Sequence, residues 1–170
     1  MGVDSFWVLI EETHQMSNGV MERQLQLLLN RLLKLDLTEI VEFDRIFTEM
    51  RRVSFCANLW DALQIIYCGC SESCFDEFRG WLIGQGRIIF HSALNDPESL
   101  ANIIQPNVRE DVLDGRLIDV AQAAYEQKAG RKMPLSSYNQ PLKLIGERAE
   151  AKELPQKYPT LFAKFSDCEK

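Results

Sequence analysis

A leucine-rich stripe near the start of the chain constrains the fold more than any other feature. Its apolar residues recur at steps of three and four, at Met21, Leu25, Leu28, Leu29, Leu32 and Leu33. Because an α-helix turns once every 3.6 residues, this spacing places these side chains on one face. Such a face has to be covered by other apolar surface. The sequence therefore predicts an amphipathic helix packed on a helical core.

Residues that start and stop helices follow along most of the chain. Asp36 opens a capping box, and Ser71 is placed to cap a helix directly after Gly69, which can end the preceding one. The pattern of residues 109–129 predicts one long amphipathic helix, with Gly115 as its weak point. No segment alternates cleanly between apolar and polar residues, so the sequence predicts an all-α fold.

Length and composition are those of one globular domain, with 170 residues, 46% hydrophobic and 26% charged. We predict a compact multi-helix domain whose helical core spans residues 1–130. Residues 131–170 are predicted to form an irregular C-terminal tail of the same domain. Two prolines and a polar run make 133–141 a loop, whereas apolar residues such as Leu161 and Phe165 favour docking of the tail's end on the core.

The charge balance is acidic, with 25 Asp and Glu against 19 Lys and Arg and a formal net charge of -6. A field of this sign repels phosphate backbones and anionic lipid, so neither nucleic acid nor a membrane is an expected partner. Residues 1–15 contain no basic leader, and Glu11 and Glu12 break their apolar run. We therefore predict a cytoplasmic protein.

The cysteines are Cys56, Cys68, Cys70, Cys74 and Cys168. An odd number, with three crowded together, is not typical of a secreted disulfide framework and favours a reducing compartment. The crowded three lack the paired knuckles of a structural zinc site, so no metal is predicted. We expect Cys68 and Cys74 to pack as small apolar residues and Cys70 to lie in a turn. A zinc or redox module is the less favoured alternative.

Familiar catalytic motifs are missing from the sequence. It contains no nucleophile elbow, no phosphate-binding P-loop, no dinucleotide-binding glycine pattern and no His-Glu-x-x-His. His14 and His91 are its two histidines, and they are far apart in the chain. The sequence therefore predicts no catalytic residue and no cofactor, and it favours a non-enzyme without excluding an enzyme.

Polar and aromatic residues are densest between positions 60 and 87. The candidate residues for binding a ligand or partner are Trp60, Asp61, Asp76, Arg79, Trp81, Gln85 and Arg87. In one interpretation this stretch belongs to the core, and Arg79 pairs with Asp61 or Asp76. In the other, Arg79, Gln85 and Arg87 face an anionic ligand or partner in a concave site, because guanidinium groups suit carboxylate and phosphate.

Motifs in this stretch and its flanks carry a family resemblance. They are Phe6-Trp7-x-Leu9-Ile10, Leu59-Trp60-x-Ala62, Gly69-Cys70-Ser71 and, above all, Phe75-x-x-Phe78-Arg79-x-Trp81-Leu82-Ile83-x-Gln85-Gly86-Arg87-x-x-Phe90. Weaker matches extend it over most of the chain, at Asp96-Pro97-x-Ser99-Leu100-Ala101, Ala124-Tyr125-Glu126 and Tyr158-Pro159-x-Leu161. On these residues the chain resembles domain-of-unknown-function family 4240, an uncharacterised bacterial family. The resemblance implies a compact helical domain and no particular reaction, substrate or catalytic residue.

An acidic helical chain without a catalytic motif favours a non-enzymatic protein-interaction or regulatory domain. One specific version is an immunity protein, which binds and blocks a basic toxin, so a basic protein is the expected partner. The alternative is a small-ligand-binding protein or an enzyme that uses a polar pocket around Arg79 and Arg87.

Overall fold

The computed structural model describes residues 1–134 and 142–165, which are mainly helical and contain no strand longer than an isolated bridge. The α-helices are α1 (Val3–Ser17), α2 (Met21–Leu32), α3 (Leu37–Val53), α4 (Ala57–Ile66), α5 (Glu72–Gly84), α6 (Arg87–Asn95), α7 (Val120–Ala129), α8 (Leu154–Lys157) and α9 (Pro159–Lys164). Shorter 3₁₀ segments occupy Pro97–Asn102, Pro106–Val112, Arg116–Asp119 and Ala151–Glu153. The predicted all-α fold is confirmed.

Local sequence signals account for several helix ends. The Asp36 carboxylate accepts the backbone N–H of Glu39 at 2.8 Å, and the Glu39 carboxylate accepts the N–H of Asp36 at 3.2 Å, so the capping box that opens α3 is confirmed. Ser71 caps α5 by accepting the N–H of Cys74 at 3.2 Å. Gly69, just before it, has a φ of 119°, a conformation that side chains with a Cβ rarely adopt.

The single helix predicted over residues 109–129 is wrong. Two 3₁₀ segments precede α7, which begins at Val120, and Gly115 lies between them. A Cβ built on Gly115 would lie 3.1 Å from the Cα of Glu77, so the chain passes very close to α5 there. The tertiary contact with α5 therefore overrides the helical periodicity of this stretch.

The core lies where α1 packs on α2, α7 packs on α2 and α3, and α5 packs on α1 and α3. The leucine stripe of α2 points inward through Leu28 and Leu32, which are fully buried. Phe6 of α1 packs on Phe43 of α3 with ring centroids 4.9 Å apart. Each large apolar side chain buried in this way contributes about 1.5–3 kcal/mol, and so the packing of amphipathic faces holds these helices together.

Residues 142–165 lie against α4 and the 3₁₀ segment after α6. The backbone of Ile145 pairs with the residues beside Cys56 through two hydrogen bonds of 2.8 and 2.9 Å, and Leu161 and Phe165 are buried. Most of the loop predicted over 133–141, and also Cys168, lie outside the described residues. Within the described ranges, no helix has both the length and the apolar character needed to cross a membrane.

Candidate functional site

Arg79 lies on α5 as a buried cation, with 1% of its side chain exposed. The rings of Phe55 and Phe75 flank its guanidinium, with centroids 4.8 and 5.0 Å away. Its Nη1 donates to the backbone oxygen of Arg51 at 2.6 Å, and its Nη2 donates to Asp76 at 2.7 Å. Burial lowers the pKa of Arg79 to about 10, against the opposing effect of Asp76, so the side chain stays charged at neutral pH.

The carboxylate of Asp76 bridges two arginines. It also accepts from Nη2 of Arg51, at 2.6 and 2.8 Å, and we call these three residues (Arg51, Asp76 and Arg79) the arginine cluster. Asp76 lies in the second turn of α5, which begins at Glu72. The cluster carries two positive charges against one negative charge.

A cavity of about 390 Å³ opens beside this cluster, and we call it the arginine pocket. Its lining residues are Arg51, Glu72, Ser73, Asp76, Arg79 and Leu142. Glu72 and Ser73 belong to the first turn of α5, where backbone N–H groups have no partner within the helix.

A disulfide encloses that first turn, because Cys70 and Cys74 are bonded to each other. The expectation that Cys68 and Cys74 pack as small apolar residues is wrong, because both are disulfide-bonded. Trp60 Nε1 and Gln64 Nε2 both donate to the backbone oxygen of Cys70 at 2.8 Å. The junction between α4 and α5 is therefore fixed covalently and by hydrogen bonds. Cys56 is a free thiol, and burial raises its pKa.

Asp76 also lines a larger concavity of about 610 Å³, which we call the acidic groove. Its lining residues are Asp76, Glu77, Leu113, Asp114, Gly115, Arg116, Ile118 and Asp119. Arg116 binds Asp114 with both Nε and Nη2, and these hydrogen bonds lower the pKa of Asp114. Glu77 and Asp119 are exposed. The groove is therefore lined by more negative than positive charge.

Asp61 does not approach Arg79, although it was one of the two predicted partners. Its carboxylate is fully buried and accepts from Arg148 Nε, from the backbone N–H of Ala149 at 2.9 Å and from Lys157 Nζ at 3.4 Å. Arg148 also lies over the ring of Trp60, 4.6 Å from its centroid. These two predicted site residues therefore hold the C-terminal segment on α4.

The remaining predicted residues do not line either cavity. Trp81 is almost fully buried and packs 5.5 Å from Phe78, while Gln85 donates to the backbone oxygen of Trp81 at 3.4 Å. Arg87 is exposed and pairs with Asp4 at 2.9 Å. The structure thus brings Asp76 and Arg79 together and keeps Gln85 and Arg87 apart from them.

The sequence analysis missed Arg51, which completes the cluster. One sequence signal was available, because Arg51 follows Phe47 by four positions and so lies on the buried face of α3. The groove residues Asp114, Arg116 and Asp119 had no comparable signal, since their 3₁₀ geometry depends on contact with α5.

Comparison with protein families settles the family relationship. The family model described as "Protein of unknown function (DUF4240)" matches residues 1–127, about three quarters of the chain. The chain belongs to this DUF4240 family. No curated protein matches it, and no solved structure does so either. The arginine cluster and the lining of the acidic groove lie within the matched residues, whereas Leu142, Arg148 and Lys157 follow them.

Proposed function

We propose that this DUF4240 protein is a non-enzymatic interaction module that binds a basic segment of another protein in its acidic groove. The observation that carries the proposal is the lining of that groove, in which Glu77 and Asp119 are exposed beside Asp76 and Asp114. The net charge of -6 adds an attractive field for a basic partner. Such charge complementarity speeds the association of the two proteins and selects partners by the sign of their charge.

The close packing beneath the groove also supports binding without rearrangement. A Cβ on Gly80 would lie 2.9 Å from Cγ1 of Ile118 and 3.3 Å from the Cα of Gly115. The 3₁₀ segment that carries Asp119 is therefore held directly against α5. A preformed surface loses little conformational entropy on association, which favours affinity.

An immunity protein that blocks a basic toxin is one specific form of this proposal, and a regulatory partner is another. The proposal also places the protein in the cytoplasm. In a reducing cytoplasm a disulfide such as Cys70–Cys74 is usually transient, catalytic or redox-sensing.

Affinity capture from native lysate followed by mass spectrometry tests the groove. The informative variant is Glu77→Lys with Asp119→Lys, and its matched control is Glu126→Lys with Glu147→Lys, on exposed acids outside the groove. Both double variants change the net charge equally, so a general charge effect acts on both. We expect a basic protein to be captured by the wild type and the control but not by the groove variant.

Two results would count against the proposal. One is a captured partner that binds the groove variant as well as it binds the control. The other is a set of captured proteins without a basic surface. Circular dichroism of both variants establishes that a loss of capture is not a loss of fold.

A further inference from the structure

We infer that the arginine pocket binds an oxyanion, the phosphate or carboxylate group of a small molecule. This site shares Asp76 with the acidic groove, but its other lining residues differ and it takes a ligand of the opposite charge. It can therefore be tested separately from the interaction that we propose for the groove.

Some guanidinium nitrogens of the arginine cluster have no hydrogen-bond acceptor within the described ranges of the chain. Arg51 binds Asp76 through Nη2, and in the described part of the chain its Nη1 has no hydrogen-bond acceptor. Nε of Arg51 and Nε of Arg79 are buried without a partner there as well. Asp76 is the carboxylate that hydrogen-bonds both guanidinium groups, while Glu72 and Asp44 act on them electrostatically without a hydrogen bond among the described residues, so these nitrogens are left without an acceptor. A buried cation in this state is stabilised by an additional anion.

The first turn of α5 supplies further donors in the same pocket. Ser73 lines the cavity with its hydroxyl, and the N–H groups of Glu72 and Ser73 are the first in a helix of 13 residues. Helix starts attract anions through such free N–H groups and through the helix dipole. Ser71 caps this turn by accepting the N–H of Cys74, and Trp60 and Gln64 both donate to the backbone oxygen of Cys70, so the start of the helix is held in place before a ligand arrives.

The acidic residues of the pocket do not block this chemistry. Asp76 is already engaged by both arginines. Glu72 is exposed, so its carboxylate can turn into water. Because the cavity measures about 390 Å³, it has room for the small molecule that carries the anionic group. The fork of Arg51 suits the planar carboxylate and the tetrahedral phosphate alike.

Titration of the full chain, followed by NMR of its backbone amides, tests the inference with two probes. Inorganic phosphate and acetate are added separately, with chloride used to keep the ionic strength constant. We expect the amide signals of Glu72 and Ser73 to shift and saturate. The Arg51→Met variant should weaken the measured Kd about tenfold, the effect of losing one charge-assisted hydrogen bond.

Arg52→Met is the matched control, because the neighbouring Arg52 is exposed and pairs with Glu49 outside the pocket. We expect it to leave the Kd unchanged. Ser73→Glu is a second test at an exposed position, where a new negative charge should abolish binding without removing a core contact. A response to phosphate alone identifies a phosphorylated ligand, and a response to both probes extends the site to carboxylates.

The inference is overturned if neither probe shifts these amides. It is equally overturned if Arg51→Met and Arg52→Met weaken binding to the same extent, since the response would then reflect general charge. Capture of a basic protein by the groove depends on neither result, so the two proposals can fail separately.

Discussion

Replacing Arg148 by methionine should destabilise the protein, because it removes a cationic partner of the buried carboxylate of Asp61. The Asp61 carboxylate is fully buried, and it would keep the N–H of Ala149 at 2.9 Å and the more distant Lys157. Removing one partner of a buried ion pair typically costs about 3–5 kcal/mol. Since Arg148 is one-third exposed and two donors remain, we expect a loss of about 2–3 kcal/mol in the free energy of unfolding.

Replacing the other partner of the pair, Asp61, should destabilise the protein less than replacing Arg148. Asp61→Asn removes the buried charge and leaves Arg148 able to reach water, so we expect a cost of about 1–2 kcal/mol. In the double variant, which carries both substitutions, the methionine no longer leaves a buried carboxylate. The losses of stability of the two single variants should therefore sum to more than the loss measured for the double variant. A coupling of roughly 1 kcal/mol or more between neighbouring residues is typical of such a pair.

Urea unfolding followed by tryptophan fluorescence measures these differences. Arg131→Met is the matched control, because Arg131 lies over the ring of Tyr125 at 6.0 Å, and the buried carboxylate among the described residues is Asp61, which pairs elsewhere. Hydrogen exchange at the amides of Ala57 and Ile145, which join the C-terminal segment to α4, shows whether this segment detaches first. If Arg148→Met were as stable as Arg131→Met, the argument from the buried charge would be refuted.

Four further substitutions, at three positions, test the packing and the charges around α5. Gly84→Ala should cost roughly 1–3 kcal/mol in urea unfolding, since its Cβ would lie 2.6 Å from Cδ1 of Leu117; stability equal to the wild type would contradict this packing. Arg79→Met should change the free energy of unfolding by no more than about 1 kcal/mol, because an apolar side chain of similar size keeps the contact with Phe55 and Phe75 and Asp76 keeps Arg51 as its partner, whereas Arg79→Ala should cost roughly 2–5 kcal/mol through its cavity. Thermal unfolding that ranks the two variants equally would rule this out. Burial and the charge of Asp119 raise the pKa of Asp44, so the ionised group destabilises the fold, and Asp44→Asn should be more stable than the wild type at pH 7. This gain should shrink as the pH falls through the raised pKa of Asp44 towards about 3.9, the ordinary aspartate value, and a gain that is the same at pH 7 and below pH 4 would be inconsistent with it.

The sequence predicted a structural feature correctly where that feature is caused by neighbouring residues. The capping box at Asp36 is an interaction among a few neighbouring residues, and it appears as predicted. α4 ends close to the predicted stop, but the left-handed residue there is Cys68, with a φ of 57°, and not Gly69, whose φ is 119°. The prediction of a helix before α7 was wrong for the opposite reason. Their 3₁₀ form follows from the approach of Gly115 to Glu77, a contact that no periodicity in residues 109–129 encodes.

The candidate site shows the same division. Asp76 and Arg79 are three positions apart on one helix, so their pairing was among the predicted alternatives. Arg51 joins them from another helix, 25 positions from Asp76, and its role depends on how α3 packs against α5. The partners of Asp61 were still harder to predict, because Arg148 is 87 positions away and lies beyond the last α-helix of the predicted core.

This last separation has a consequence during protein synthesis. When α4 leaves the ribosome, Asp61 has no cation to pair with, and Arg148 follows only after 86 further residues have been added. At about 5–20 residues per second, this interval lasts several seconds. Asp61 must stay in contact with water during that time, because burying an unpaired carboxylate is strongly unfavourable. The face of α4 that carries it can therefore close only after the C-terminal segment has emerged.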